Sequence, residues 1–101
     1  NEFTIKPSNN NIVDRLTEVI QENKNYNIQI VGFTDNLGEV DYNQNLSEKR
    51  AETIFNTLVK AGVSADRMSY LGKGENNPLF KNNTNDNRKK NRRVEIIFLK
   101  I

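Results

Sequence analysis

A small set of polar and charged residues is spaced so that it could bind a charged ligand. Asp35 follows a short apolar segment, and Thr34 precedes it. Asn43, Ser47 and Arg50 recur at i, i+4 and i+7, which places them on one stripe of a helix. If the turn folds over the first half of that helix, Asp35 approaches Arg50. The pair would then complement a zwitterion, with an ammonium group on Asp35 and a carboxylate in a bidentate fork on Arg50. Thr34 and Asn43 would add neutral hydrogen bonds.

The same spacing has an ordinary structural explanation. Asp35 could cap a turn or a helix, and Arg50 could form a surface ion pair. On spacing alone, this explanation is favoured over a binding site.

Length and composition exclude several classes of function. The chain has 101 residues, which fits one compact domain over residues 1–101. It contains no cysteine and no histidine, so it lacks disulfides, thiolate nucleophiles, imidazole metal ligands and the usual near-neutral acid–base group. The net charge of +2 is too small to indicate a polyanionic partner. No apolar run reaches the roughly 18 residues needed to cross a bilayer. Because the chain begins Asn1-Glu2-Phe3, we expect it to be a piece of a longer precursor.

Two segments carry the apolar spacing of amphipathic helices. Ser8 or Asn9 could cap the first helix. Its predicted apolar face is Ile12, Val13, Leu16, Val19 and Ile20. The predicted apolar side of the second helix is Tyr42, Leu46, Ile54, Leu58 and Ala61. Gly62 is the expected C-terminal stop of that second helix.

Three segments alternate as strands do, at residues 28–33, 67–71 and 94–99. Strands separated by amphipathic helices predict parallel neighbours with right-handed crossovers. The last two strands have only a long polar loop between them, which allows an antiparallel pair. We therefore predict an α+β fold in which a layer of helices packs on a mixed sheet.

Several spaced motifs resemble the signature of one protein family. In chain order they are Gly32-Phe33-Thr34-Asp35-Asn36-Leu37-Gly38, Tyr42-Asn43-x-x-Leu46-Ser47-x-x-Arg50-Ala51, Gly72-x-Gly74-Glu75-x-x-Pro78, Asn82-x-Thr84 and Arg88-x-x-Asn91-Arg92-Arg93-Val94-Glu95. They cover nearly the whole chain in the right order. The sequence therefore resembles the OmpA-like (OmpA/MotB C-terminal) family of peptidoglycan-binding domains in bacterial envelope proteins.

The resemblance implies a βαβαββ two-layer domain that binds the peptide stem of peptidoglycan non-covalently. In the family, the Asp of the Thr-Asp pair and the Arg of the Leu-Ser-x-x-Arg stretch hold the amino and carboxyl groups of diaminopimelate. These positions are Asp35 and Arg50 here. By the same resemblance Asn43 lines the pocket, with Thr34 and Leu46 beside it.

Other expectations come from the edges of the resemblance. In related domains an Asn of the first loop can reach the ligand, which makes Asn1 a candidate, and Arg88 is expected at or near the rim of the site. Phe33 stands where the family usually has His, a change that removes neither charged partner. The family begins with a strand before the first loop, so residues 1–5 predict a first strand that is short or missing.

The remaining motifs do not indicate a cofactor, a metal or a nucleic acid. The basic stretch at residues 88–93 lacks the aromatic neighbours that stack on bases. Gly72-x-Gly74 lacks the third glycine of a dinucleotide loop. Asp35, Glu39 and Asp41 lack the spacing of a calcium-binding EF-hand.

Binding is favoured over catalysis. No carboxylate pair is arranged persuasively for glycoside hydrolysis, and Tyr42 and Tyr70 are interpreted as core or rim aromatics rather than catalytic phenols. We expect a soluble periplasmic domain of a membrane-anchored parent, the outer membrane being favoured over the inner, that anchors the parent to the cell wall. The alternative keeps the fold but uses it as a protein–protein assembly module without wall binding.

Overall fold

The computed structural model describes residues 2–5, 10–35, 39–74, 84–86 and 91–101, with side chains described from residue 13 onward. Its elements are β1 (Glu2–Ile5), α1 (Asn10–Glu22), β2 (Tyr26–Gly32), α2 (Val40–Lys60), a 3-10 turn (Ala65–Arg67), β3 (Met68–Gly72) and β4 (Val94–Lys100). Within the described residues, neither helix combines the length and the apolar character that crossing a membrane requires.

The four strands form one mixed sheet in the order β1-β4-β2-β3. β2 and β3 are parallel, as the intervening helix predicts, whereas β4 is antiparallel to both β1 and β2. The prediction that the last two strands could pair with each other is wrong. The parallel β2–α2–β3 unit occupies one side of β2, and β4 pairs on the other side. The first strand is present but short, and the predicted α+β architecture is confirmed.

The core lies between the helices and one face of the sheet. Leu16 and Ile20 of α1 are fully buried, which confirms the apolar face predicted for that helix. From the sheet, alternate residues of β2 and β4 meet them, since strand side chains alternate between faces. These buried sheet residues are Ile28, Ile30, Ile96 and Phe98.

The buried side of α2 differs from the prediction in its first half. Tyr42 is 65% exposed, and Ala61 is also exposed, so neither belongs to the buried side. The residues that α2 buries are Asn43, Ser47, Ala51 and Leu58. The first half of the helix passes over the ends of β2 and β3, where small and polar side chains, rather than large apolar ones, fit between the backbones.

The end of α2 agrees with the predicted stop. The helix ends at Lys60, and Gly62 has a φ of 106°, which a glycine adopts without a side-chain clash. Shortly afterwards, the guanidinium of Arg67 donates to the carbonyls of Ile20, Asn23 and Tyr26 at 2.7–3.0 Å. These bonds tie the start of β3 to the end of α1 and the start of β2, at the opposite end of the parallel strands from Asp35.

Candidate functional site

The backbone of residues 33–35 is held at the carboxyl end of β2. The amide of Phe33 donates to the carbonyl of Arg93 at 2.8 Å, and the amide of Thr34 donates to the carbonyl of Gly74 at 2.7 Å. The first bond continues the β2–β4 ladder by one residue, and the second ties the chain after β2 to the chain after β3. Thr34 and Asp35 therefore leave the sheet from a fixed position, at the edge where ligands most often bind in open α/β sheets.

Two glycines let α2 approach the ends of these strands. A Cβ on Gly32 would overlap the carbonyl oxygen of Ser47, and a Cβ on Gly72 would overlap the Ser47 hydroxyl and the Glu48 amide. Both strands therefore end on residues that lack a side chain, and the helix backbone lies directly against them. This close packing places the polar stripe of α2 beside Thr34 and Asp35.

Asp35 is buried and takes part in polar contacts from two elements. Only 4% of the residue is exposed. Its Oδ2 accepts a hydrogen bond from Nη1 of Arg92 at 3.0 Å, and its backbone carbonyl accepts one from Nδ2 of Asn43 at 3.3 Å. The Arg92 side chain is 42% exposed, so the ion pair faces solvent on the arginine side. A buried carboxylate needs such a partner, because an uncompensated charge away from water is costly.

Thr34 contributes a hydroxyl without a partner in the described part of the chain. The residue is 3% exposed, and its Oγ1 has no hydrogen-bond partner among the residues that the structure describes. Leaving a buried polar group unsatisfied costs about 1–3 kcal/mol. A ligand that bonded to this hydroxyl would remove that cost, so Thr34 is suited to contact a bound group next to Asp35.

The other predicted residues on α2 lie along the same stripe. Leu46 and Arg50 are half-buried, three and seven positions after Asn43. Seven residues of helix rise about 10 Å, so Arg50 lies two turns beyond the residue that bonds to Asp35. Neither of the salt bridges found between described residues involves Arg50. Its guanidinium therefore has no carboxylate partner in the part of the chain described.

The structure thus brings together Thr34, Asp35 and Asn43, and it places Arg50 on the helix that supports them. Among the described residues, Asp35 forms an ion pair with Arg92, which the sequence analysis did not propose as a site residue. The strand register explains this ion pair. Gly32 pairs with Val94 in the antiparallel β2–β4 ladder, so the residues just before Val94 lie beside those just after Gly32. The joint binding of one ligand by Asp35 and Arg50 stays a prediction.

Phe33 packs in a way that leaves the charged residues in place. It is 5% exposed, and the guanidinium carbon of Arg93 lies 3.8 Å from the centre of its ring. Arg93 also pairs with Glu95, so the cation–π contact belongs to a local network on β4. The aromatic ring is therefore accommodated beneath an arginine and does not compete for Asp35.

Two of the predicted site residues, Asn1 and Arg88, lie outside the described residues. Among the described residues, no three acidic side chains gather into a group that could hold a metal ion.

The Tyr70 hydroxyl donates to Oε2 of Glu52 at 2.9 Å, and this bond, with the negative charge of Glu52, raises the pKa of Tyr70 above its ordinary value. A raised pKa keeps the phenol protonated, which is the opposite of what an activated nucleophile needs.

Comparison with known proteins gives consistent matches over most of the chain. The model of the OmpA family matches residues 1–92. The probable lipoprotein YiaD of Escherichia coli K12 is 36% identical over 93 residues, covering 92% of this chain and 42% of that protein. Outer membrane protein A of Salmonella typhi is 38% identical over 89 residues, covering 86% of this chain and 25% of that protein. The chain spans less than half the length of these curated relatives.

A solved structure matches the whole fold. The crystal structure of the C-terminal domain of Helicobacter pylori MotB superposes with a TM-score of 0.84 at 28% sequence identity. The match covers 100% of this chain and 85% of that one. The arrangement of two helices on a mixed sheet is therefore shared with that domain of MotB.

Proposed function

Because the chain belongs to the OmpA family, we propose that it binds peptidoglycan non-covalently and anchors an envelope protein to the cell wall. The ligand is the diaminopimelate of the stem peptide, and the compartment is the periplasm. The parent protein is held in a membrane, with the outer membrane favoured over the inner. The role is one of binding and not of catalysis.

The observation that carries the proposal is the buried Asp35 carboxylate, whose partner Arg92 is 42% exposed and faces solvent. Asp35 is 4% exposed and Thr34 is 3% exposed, yet the Thr34 Oγ1 has no partner among the described residues. Asn43 fixes the backbone of Asp35 from the adjacent helix. A carboxylate held in this way suits an ammonium group, which can donate to it.

The far end of diaminopimelate carries an ammonium and a carboxylate on one carbon. In our proposal the ammonium binds Asp35, and the carboxylate binds the guanidinium of Arg50 in a bidentate pair. The half-buried Leu46 lies one turn before Arg50 on α2, and in our proposal it contacts the aliphatic part of the ligand. Arg92 holds the Asp35 carboxylate in place through their ion pair before the ligand arrives.

Arg88 remains a candidate for a contact at the rim. The prediction of Asn1 rested on a position in the first loop, whereas Glu2, which follows it, begins β1 opposite Leu99.

The expected affinity is modest. A hydrogen bond to a charged group contributes roughly 1.5–3 kcal/mol, and association itself costs at least about 4 kcal/mol. Two charged contacts with a few neutral ones then give a dissociation constant of about micromolar to millimolar. That suffices for an anchor, because the wall repeats the ligand and a tethered domain meets a high local concentration of it.

Removing the predicted carboxylate partner should release the domain from the wall. We expect the native domain to co-sediment with purified sacculi and Arg50→Ala to stay mainly in the supernatant, since the ligand carboxylate would lose its charged partner. Lys49→Ala serves as the matched control, because it removes an exposed positive charge from the neighbouring position of the same helix. Retention of Arg50→Ala on sacculi would contradict the proposed role of Arg50. A native domain that does not sediment would favour the assembly module instead.

A further inference from the structure

We propose that Ser47 is a positioning residue that holds Thr34 and Asp35 in their binding geometry through Gly74. This inference rests on the proposed function and adds a residue that does not contact the ligand. Ser47 is 0% exposed, and its hydroxyl already donates to Gln44 and accepts from Gly74, so it has no donor left for a bound stem peptide. Its contribution must pass through the groups to which it is bonded.

Those groups form a continuous chain of hydrogen bonds from α2 to the end of β2. The Ser47 hydroxyl donates to the carbonyl of Gln44 at 2.8 Å and accepts from the amide of Gly74 at 2.9 Å. The carbonyl of Gly74 in turn accepts from the amide of Thr34 at 2.7 Å. Gly74, two residues after the end of β3, is therefore bonded through its amide to the helix and through its carbonyl to the backbone that presents Asp35.

A second set of bonds keeps this relay in register. Nε2 of Gln44 donates to the carbonyl of Gly72 at 2.6 Å, and the amide of Lys73 donates to the carbonyl of Gly32 at 2.9 Å. Gly74 has a φ of 58°, a left-handed conformation in which its amide and carbonyl point to the two partners. The segment from 72 to 74 is thus clamped between α2 and β2.

The relay matters for binding because it joins the two halves of the site. Arg50 lies three residues after Ser47, on the next turn of the same helix, whereas Asp35 lies one residue after Thr34. Ser47 is therefore bonded to the segment that fixes the anionic half, and the helix that carries it also carries the cationic half. A small shift of Thr34 relative to α2 would change the separation that the ligand must span, and small misplacements of positioned groups are costly.

The test combines amide hydrogen exchange with ligand affinity. In Ser47→Ala the Gly74 amide loses its acceptor, so we expect exchange at Gly74 and Thr34 to accelerate at least about tenfold over the native rate. We expect the affinity for a diaminopimelate-containing tripeptide, measured by calorimetry, to fall by about tenfold as well. Ser47→Cys keeps a donor and an acceptor at this position with a longer and weaker hydrogen bond, so both effects should be intermediate. Ser47→Cys also supplies the comparison if Ser47→Ala does not fold.

Thr17→Val is the matched control for loss of a buried helical hydroxyl. Thr17 is 9% exposed on α1, and its hydroxyl donates to the carbonyl of Val13 at 2.9 Å. This variant should leave both the affinity and the exchange at Thr34 unchanged, whatever its effect on the melting temperature.

Each outcome bears on one proposal. Native exchange at Thr34 in Ser47→Ala would overturn the relay, and faster exchange with unchanged affinity would overturn its role in positioning. A native domain that binds no tripeptide would overturn the proposed function, while accelerated exchange confined to the Ser47 variants would still support the relay.

Discussion

Asp35→Asn should weaken binding of a diaminopimelate-containing stem peptide by about thirtyfold or more, because a buried charged hydrogen bond contributes roughly 2–3 kcal/mol. The carboxylate is 4% exposed, so water does not replace it as a partner of the ligand ammonium. The substitution also leaves Arg92 without its carboxylate, and this positive charge then repels the ammonium. Titration calorimetry with the purified peptide measures the effect.

Asp41→Asn is the matched control for this loss of charge. Asp41 lies in the first turn of α2, close in sequence to the site, but its side chain is exposed. Since exposed charges are screened by solvent and salt, its removal should change the affinity by no more than about twofold. If Asp35→Asn bound the peptide as tightly as Asp41→Asn does, the buried carboxylate would have no role in recognition.

Gly32→Ala should destabilise the domain by at least about 3 kcal/mol, more than most single substitutions. Its Cβ would overlap the carbonyl oxygen of Ser47, and the obstructing atom belongs to the backbone of α2 and has no rotamer through which to move away. Relief requires a shift of the whole helix from the sheet. For a domain with a total stability of about 5–15 kcal/mol, this loss is a large share of the free energy of unfolding.

Gly62→Ala separates lack of space from backbone strain. Gly62 has a positive φ of 106°, but the nearest atom to a Cβ there is the side-chain nitrogen of Gln21 at 3.6 Å. Gly62→Ala should therefore lower the free energy of unfolding by only about 1 kcal/mol, the usual penalty for a strained backbone conformation. Urea denaturation of both variants gives the comparison. A loss in Gly32→Ala no larger than that in Gly62→Ala would contradict the close packing of α2 on the strands.

The elements that are driven by apolar periodicity were predictable from the sequence. The spacing of Leu16 and Ile20 predicted α1, and both side chains are fully buried. The alternation of Ile96 and Phe98 predicted β4, and the same two residues lie in the core. In these segments the pattern of burial is local, so a short window of sequence contains it.

The first half of α2 was mispredicted because its packing is set by another part of the chain. Tyr42 fits a helical apolar stripe, yet the helix buries Asn43 and Ser47 instead. The reason lies in Gly32 and Gly72, whose missing side chains bring the helix backbone onto the strands and leave room only for small or hydrogen-bonded groups. The apolar spacing within a helix contains no information about glycines on a neighbouring strand.

Arg92 was missed as a partner of Asp35 for a related reason. The two residues are 57 positions apart, and only the antiparallel register of β4 beside β2 brings them together. The sequence allowed pairing of β4 with β3, which would have placed Arg92 elsewhere. Long-range ion pairs of this kind depend on strand order, which short-range patterns do not determine.

The central claim is that the site recognises an ammonium and a carboxylate carried on one carbon. A stem peptide with lysine in place of diaminopimelate tests it most directly, because lysine keeps the side-chain ammonium and lacks the adjacent carboxylate. By calorimetry, the native domain should bind the diaminopimelate peptide at least about tenfold more tightly, the value of one charged hydrogen bond. Equal affinities of the native domain for the two peptides would contradict recognition of a zwitterion.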